Sequence, residues 1–254
     1  MKKLLIIFYF LFMFASIWYP VGAVDYFAVD EIEDPDIIIY RPLSIEENKK
    51  YPVLYLIHGR WQQPSIWEEI GLSETLTELY ENEEIIPFYI VLPHDVAYLE
   101  EMYDSAFYED FINNVMPYVE ANYPVSTDPM KTAIGGISRG AQWAQYLAFE
   151  FYGRFAHVGV HSPANAFYSL PKIYGIIRDH TDIPKLRIRI DIGNADNAVR
   201  VGAEFSSQLL ELFYPHEFVL GIGGHDVDYW RENLPVYLKW YSEGFKLAAD
   251  PVAI

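Results

Sequence analysis

A serine between two glycines is the feature of this chain that could carry covalent chemistry. Gly136, Ser138 and Gly140 form a G-x-S-x-G pattern, preceded by an apolar run and followed by residues with helical spacing. A nucleophilic serine stands on a strained strand-to-helix turn, where side chains two positions before or after it would collide with neighbouring backbone. The following helix directs its first N–H groups at the reacting oxygen. The pattern predicts a nucleophile if the chain also supplies a base and an acid.

The candidate base is His225, which follows the last predicted strand in a Gly-Gly-His-Asp turn. His58, His94 and His161 also stand at predicted strand ends and compete with it. Hydrolases on doubly wound sheets carry their triad in the order serine, acid, histidine. That order favours His225 because it comes late in the chain, well after Ser138.

The candidate acid is Asp196, in the loop after the apolar run 186–192. A carboxylate there could hold the imidazole in the correct tautomer and stabilise it when protonated. Asp191 lies within the run, so its side chain points to a sheet face, and pairing with Arg187 or Arg189 accounts for it better. The remaining acidic candidates are expected to cap the final helix or to precede the strand: Asp226, Asp228 and Asp182.

An oxyanion hole needs two backbone donors beside the nucleophile. The residue after the serine supplies one, which is the N–H of Arg139. The second is expected from the loop after His58-Gly59, as the N–H of Arg60, with Trp61 as the alternative. The substrate pocket is expected to be lined by Trp61, Trp143, His161 and Trp230, with Tyr98, Tyr103 and Tyr229 as further aromatic candidates.

These residues need a scaffold of alternating strands and helices. Near-continuous apolar runs predict strands over 36–42, 51–57, 85–92, 130–137, 155–160, 186–192 and 216–221. Helices are expected over 65–81, 106–122, 139 onwards, 199–212 and 227–245. Strands that are apolar throughout indicate a mostly parallel, doubly wound sheet covered by helices on both faces. Such sheets hold their sites beyond the carboxyl ends of the strands, where Ser138, Asp196 and His225 fall.

The first 23 residues differ from the rest of the chain. Lys2 and Lys3 precede the apolar run 4–19, and Pro20 and the small residues 21–23 follow it. This arrangement predicts a secretory signal peptide over 1–23, with the catalytic domain in 24–254 and the protein secreted or extracytoplasmic. The alternative is an uncleaved membrane anchor formed by residues 4–19.

Composition narrows the function classes. The 254 residues carry a net charge of −18 and no basic run, which argues against nucleic-acid binding and against attraction to anionic membranes. A hydrophobic fraction of 52% supports one large core, and no linker or repeat divides the chain, so a single domain is expected. The absence of cysteine excludes disulfides, thiolate catalysis and Cys-ligated metal.

The chain resembles the putative-esterase family of α/β-hydrolases, which includes esterase D, feruloyl esterases and the antigen 85 mycolyltransferases. The resemblance runs from about residue 36 to 245. It is carried, in order, by residues 51–59 (YPVLYLIHG), 118–124 (YVEANYP), 136–140 (GISRG), 161–163 (HSP), 193–196 (GNAD) and 223–226 (GGHD). It implies an α/β-hydrolase fold with Ser138, Asp196 and His225 as the triad and with oxyanion donors at Arg60 and Arg139.

The chain departs from the family pattern next to its serine. The family usually has Met after the serine and a glycine after the motif, where this chain has Arg139 and Ala141. The Arg139 side chain is expected to pair with a nearby carboxylate or to give the pocket a positive edge. The loop after Gly59 also lacks the usual glycine-rich run, which bears on the substrate rather than on the reaction.

The resulting expectation is an exported serine esterase that needs no metal or cofactor and acts on a small-molecule or carbohydrate-linked ester. Two alternatives remain open at this stage. The same triad could transfer the acyl group to a sugar hydroxyl, or the fold could serve as an inactive binding protein. Residues 164–181, between two predicted strands, are the candidate insertion over the site.

Overall fold

A computed structural model of the protein describes residues 26–97, 100, 105–164, 175–176, 178–179 and 185–247. The expected signal peptide, Tyr98 and Tyr103 therefore lie outside the described residues, as does most of the candidate insertion. In the described part of the chain, no helix is both long and apolar enough to cross a membrane.

One eight-stranded sheet organises the molecule, with strand order β1-β2-β4-β3-β5-β6-β7-β8. The strands are β1 (Phe27–Glu33), β2 (Asp36–Pro42), β3 (Val53–Ile57), β4 (Tyr89–Pro93), β5 (Thr132–Ile137), β6 (His157–His161), β7 (Arg187–Gly193) and β8 (Glu217–Gly221). The β1–β2 and β2–β4 pairings are antiparallel, and all other neighbours are parallel. The predicted α/β-hydrolase fold, with its mostly parallel sheet in a single domain, is confirmed.

Helices cover both faces of this sheet. They are α1 (Ile66–Ile70), α2 (Leu72–Glu81), α3 (Ala106–Asp110), α4 (Met116–Asn122), α5 (Arg139–Glu150), α6 (Val199–Glu211) and α7 (Val227–Leu247), with a π-helical turn (Phe111–Val115) joining α3 to α4. One face packs against α3, α4, α5 and α6, and the other against α1, α2 and α7. Every residue of β3, β4, β5 and β6 is buried, as expected for strands covered on both sides.

Two local features differ from the sequence expectation. The helix predicted over 65–81 is split at Gly71, whose φ of 97° ends α1 in the left-handed region that glycine adopts without penalty. The sequence does not predict strand β1, because three acidic residues interrupt its apolar residues and leave it without the continuous apolar run of the central strands. It pairs with β2 along its full length at the sheet edge, where one side of a strand meets solvent.

Candidate active site

The serine sits on a strained elbow between β5 and α5. Ser138 has φ 55° and ψ −114°, an uncommon conformation for a residue with a Cβ. A Cβ on Gly136 would lie 2.5 Å from the carbonyl oxygen of Ile57, and one on Gly140 would lie closer still to the same oxygen. The two glycines therefore allow β3 to approach the elbow. The N–H of Ser138 donates to the carbonyl of His161 at 3.0 Å, which ties the elbow to β6.

A hydrogen-bonded chain joins the three candidate catalytic side chains. His225 Nε2 lies 2.9 Å from Ser138 Oγ, and His225 Nδ1 lies 2.8 Å from Asp196 Oδ2. The Asp196 carboxylate is fully buried, whereas a quarter of the His225 side chain is exposed. Nδ1–H can therefore donate to the carboxylate while Nε2 faces the serine hydroxyl, which is the arrangement that a general base requires.

Backbone hydrogen bonds hold the acid and base loops together. Ala195 N–H donates to the carbonyl of Gly223, and Asn194 N–H donates to the carbonyl of Gly221, both at 2.8 Å. The second carboxylate oxygen of Asp196 accepts the N–H of Ala198 at 2.7 Å, which fixes its rotamer. As a result, the two loops after β7 and β8 present their side chains as one unit.

The residue after His225 begins the last helix. Asp226 Oδ1 accepts the N–H of Tyr229 at 2.9 Å, in the geometry of a helix N-cap. This agrees with the expectation that Asp226 caps this helix and is not the triad acid.

Both expected oxyanion donors belong to residues that line the cleft beside Ser138. Arg139 is the first residue of α5, so its N–H has no carbonyl partner within that helix. Its guanidinium is buried, with Nε donating to Asp95 Oδ2 at 2.8 Å. Of the two expectations for this side chain, the structure favours pairing with a carboxylate. Arg60 is exposed in the loop after β3.

A cleft of about 510 Å³ opens over the serine. Its lining residues are Gly59, Arg60, Trp61, Gln62, Ser138, Arg139, Gln142, Ala164, His225, Asp226, Val227 and Trp230. Trp61 stands at the cleft with 72% of its surface exposed and φ 60°, while Trp230 is buried with its ring edge-to-face on His225 at 5.3 Å. Both were predicted to line the pocket.

The other two predicted pocket residues lie inside the protein. Trp143, within α5, is fully buried in the core on the sheet face that α3 to α6 cover, and its Nε1 donates to Asp95 Oδ2 at 2.7 Å. His161 is also fully buried, because its side chain turns to the sheet face under α7. Neither lines the described cleft, which corrects the expectation. Tyr229 is likewise buried.

His161 belongs to a second, buried histidine–aspartate pair. Its Nδ1 lies 2.5 Å from Asp191 Oδ2, and its Nε2 lies 3.0 Å from the Tyr241 hydroxyl. The expected arginine partners of Asp191 are wrong, since Arg187 and Arg189 both reach Glu217 on the neighbouring strand. In the sequence, the only sign of this pair is that Asp191, a charged residue, lies within a predicted strand.

The remaining strand-end histidines do not contact the serine. His58 is buried, and burial lowers its pKa to about 4. His94 Nδ1 lies 2.7 Å from the carboxylate of Asp36. Within the described residues, no group of three or more metal-ligating side chains comes together.

The chain is similar to known proteins in family, in fold and in sequence. A family model described as a putative esterase matches residues 32–241. A solved ferulic acid esterase aligns with a TM-score of 0.73 at 22% identity, over 86% of this chain and 98% of that one. A ferulic acid esterase from Anaeromyces mucronatus in complex with ferulic acid gives 0.69 at 20% identity, over 88% and 93%. The S-formylglutathione hydrolase of Staphylococcus aureus gives 0.67 at 20%, over 85% and 98%. At these identities the likeness establishes the fold.

Two curated relatives align over part of their length. Endo-1,4-beta-xylanase Y of Acetivibrio thermocellus is 30% identical over 107 residues, which is 40% of this chain and 10% of that protein. Dipeptidyl-peptidase 5 of Schizosaccharomyces pombe is 26% identical over 177 residues, 65% of this chain and 26% of that protein. The alignments thus span a tenth and about a quarter of these two relatives.

Proposed function

The chain belongs to the putative-esterase family, and on that premise we propose that it is a serine hydrolase of carboxylic esters that forms an acyl-enzyme on Ser138. The observation that carries the proposal is the continuous hydrogen-bonded chain from Asp196 through His225 to the Ser138 hydroxyl. An inactive binding protein would have no need for a strained serine at the end of such a chain.

The first half of the reaction acylates the serine. Ser138 Oγ attacks the ester carbonyl carbon while His225 Nε2 takes its proton. Asp196 orients the imidazole through Nδ1 and stabilises the imidazolium that forms. The negative charge on the former carbonyl oxygen is met by the N–H groups of Arg139 and Arg60. As the tetrahedral intermediate collapses, the imidazolium gives its proton to the departing alkoxide, and an alcohol leaves.

The second half repeats these steps with water. His225 takes a proton from water, whose oxygen attacks the acyl carbon, and the Ser138 oxygen leaves with the proton returned by the imidazolium. The products are a carboxylic acid and the free enzyme. No step in this sequence calls for a metal or another cofactor.

The substrate is proposed to be a small-molecule or carbohydrate-linked ester. Trp61 and Trp230 give the cleft two aromatic surfaces, one at its mouth and one beside the base. Aromatic faces suit a planar acyl group or the apolar face of a sugar. The ferulic acid bound by the esterase from Anaeromyces mucronatus supports a test with aromatic acyl esters.

The test is an ester panel on the wild type and on Ser138→Ala. We expect the wild type to hydrolyse p-nitrophenyl acetate or methyl ferulate and to be labelled once by a fluorophosphonate. The variant should lose labelling and at least about a thousandfold in kcat, since triad members act as a unit. Turnover that survives in folded Ser138→Ala would refute the assignment of the nucleophile.

We also propose that residues 1–23 are a signal peptide that is removed on export, leaving the esterase domain 24–254. The support comes from the sequence alone, in its two lysines, apolar run and small residues before position 24. Mass spectrometry of the protein from its native host tests this. An intact N-terminus in a membrane fraction would instead favour an anchor formed by residues 4–19.

A further inference from the structure

Both backbone groups of Gly59, in the loop after β3, are held by side chains. The N–H of Gly59 donates to Gln62 Oε1 at 2.8 Å. The carbonyl oxygen of Gly59 lies 2.8 Å from His58 Nδ1. The same carbonyl also accepts the backbone N–H of Gln62 at 3.3 Å, so this glycine is held in one orientation from two sides.

The hydrogen bonds of His58 decide which of its nitrogens carries the proton. Its Nε2 accepts the backbone N–H of Asp95 at 2.9 Å, so Nε2 must be bare. The ring hydrogen is therefore on Nδ1, which donates to the Gly59 carbonyl. Burial lowers the pKa of His58 to about 4, so the ring stays neutral and keeps this tautomer near neutral pH.

The orientation of Gly59 determines where the next N–H points. The carbonyl of Gly59 and the N–H of Arg60 belong to the same planar peptide unit, and in a trans peptide they point in opposite directions. Because the buried ring of His58 holds the carbonyl, the N–H of Arg60 points away from that ring, and Arg60 lines the cleft. Ser138 lies there, with its Cβ 3.3 Å from where a Cβ on Gly59 would stand.

We propose that Gln62 and His58 are positioning residues that set the peptide plane of the Arg60 oxyanion donor. This inference rests on the proposed esterase function. The same network reaches the second donor, because the Asp95 carboxylate holds the side chain of Arg139. One set of hydrogen bonds thus holds the two N–H groups that would stabilise the oxyanion relative to each other. In this role the side chains of Gln62 and His58 act through Gly59 and do not touch the substrate oxygen.

The test compares Gln62→Met with Gln63→Met. Methionine keeps the length of glutamine but lacks its strong acceptor, and Gln63 is an exposed neighbour that does not line the cleft. For Gln62→Met we expect kcat to fall about 10- to 100-fold, less than the 10²–10³ lost when an oxyanion donor is removed outright. KM should stay close to that of the wild type. Inhibition by a boronic acid, which forms a tetrahedral adduct on the serine, should weaken by the same factor as kcat.

Two further measurements separate positioning from general damage. The pH profile of kcat should keep its inflection in Gln62→Met, because the His225–Asp196 pair is untouched. His58→Asn carries an amide N–H close to the position of Nδ1, so it should retain more kcat than His58→Leu, which cannot donate to Gly59 at all. Equal kcat in folded His58→Asn and His58→Leu would count against the proposal.

The possible failures are distinguishable. A wild type that neither turns over esters nor reacts with a fluorophosphonate would overturn the proposed function, and this inference with it. An active wild type in which Gln62→Met matches Gln63→Met in kcat and in boronic-acid inhibition would overturn the inference alone. A rise in KM at unchanged kcat would also overturn it, because that result assigns Gln62 to substrate binding.

Discussion

Two histidine–aspartate pairs occur in the same sheet, one in the loops after β7 and β8 and the other on paired residues of β6 and β7, and they differ in exposure and in what the second ring nitrogen contacts. In one, His225 Nδ1 is 2.8 Å from Asp196; in the other, His161 Nδ1 is 2.5 Å from Asp191. The second ring nitrogen faces the Ser138 hydroxyl in the first pair and the Tyr241 hydroxyl in the second. A quarter of the His225 side chain is exposed, whereas His161 is fully buried.

The surroundings of the buried pair leave no room for a substrate. The His161 ring stacks on Tyr237 with centroids 3.7 Å apart, and the Tyr237 hydroxyl donates to Asp191 Oδ1 at 2.5 Å. Burial and the Asp191 charge raise the pKa of Tyr237 well above its ordinary value, so this hydroxyl keeps its proton and donates. A histidine held by a carboxylate is therefore not in itself a catalytic base. Its free nitrogen must meet a nucleophile at the wall of a cleft.

The largest expected effect is on catalysis in Asp196→Asn. With its one oxygen kept on the N–H of Ala198, an amide presents its NH2 group, a donor, to Nδ1, so His225 loses the tautomer that a base needs. We expect kcat to fall by about 10⁴-fold, as triad chemistry generally predicts, with little change in stability. Steady-state kinetics together with urea unfolding would check this. A kcat close to that of the wild type would move the acid role away from Asp196.

The same substitution in the buried pair should act on folding instead. Asp191→Asn removes the charge that His161 and Tyr237 are arranged around, and breaking a buried pair costs about 3–5 kcal/mol of unfolding free energy. Activity per folded molecule, counted by fluorophosphonate titration, should fall far less than in Asp196→Asn. The two pairs would no longer differ in role if folded Asp191→Asn lost as much kcat as Asp196→Asn.

The pair beside the serine could be predicted from the sequence because its residues obey local rules. Ser138, Asp196 and His225 each follow an apolar strand, and the carboxyl ends of parallel strands meet at one edge of the sheet. The sequence also shows glycines beside the serine, at 136 and 140, and before the histidine, at 223 and 224, which indicate tight turns. Chain order then selected the histidine among four candidates.

The buried pair could not be predicted, because it depends on strand register and helix packing. His161 and Asp191 are direct partners in the β6–β7 register, which no short sequence window encodes. Side chains alternate between the two faces of a strand, so Arg187, Arg189 and Asp191 share one face. The local sequence therefore predicts an ion pair between Asp191 and one of these arginines. However, successive residues on one face stand about 6.6 Å apart, and the arginines instead reach Glu217 across the sheet edge.

Another buried histidine, His157, sharpens the contrast through pH, because within the described residues its ring bonds to a backbone carbonyl and to no carboxylate. His157 is buried, its Nε2 contacts the carbonyl of Met130 at 3.0 Å, and burial lowers its pKa to about 4. Below the ordinary histidine pKa of about 6.5, the unfolded chain binds a proton that the folded protein excludes. The contribution of His157 to stability is therefore fully present above that value and is lost as the pH falls towards 4.

The consequence is measurable with a side chain that does not titrate. In His157→Gln, the unfolding free energy should fall by about 2 kcal/mol less than in the wild type between about pH 7 and pH 5. Urea unfolding of both proteins at both pH values gives this difference. Any stability that the substitution itself costs at pH 7 cancels, because each protein is compared with itself. If the two proteins lose stability in parallel over this range, burial alone does not keep His157 neutral.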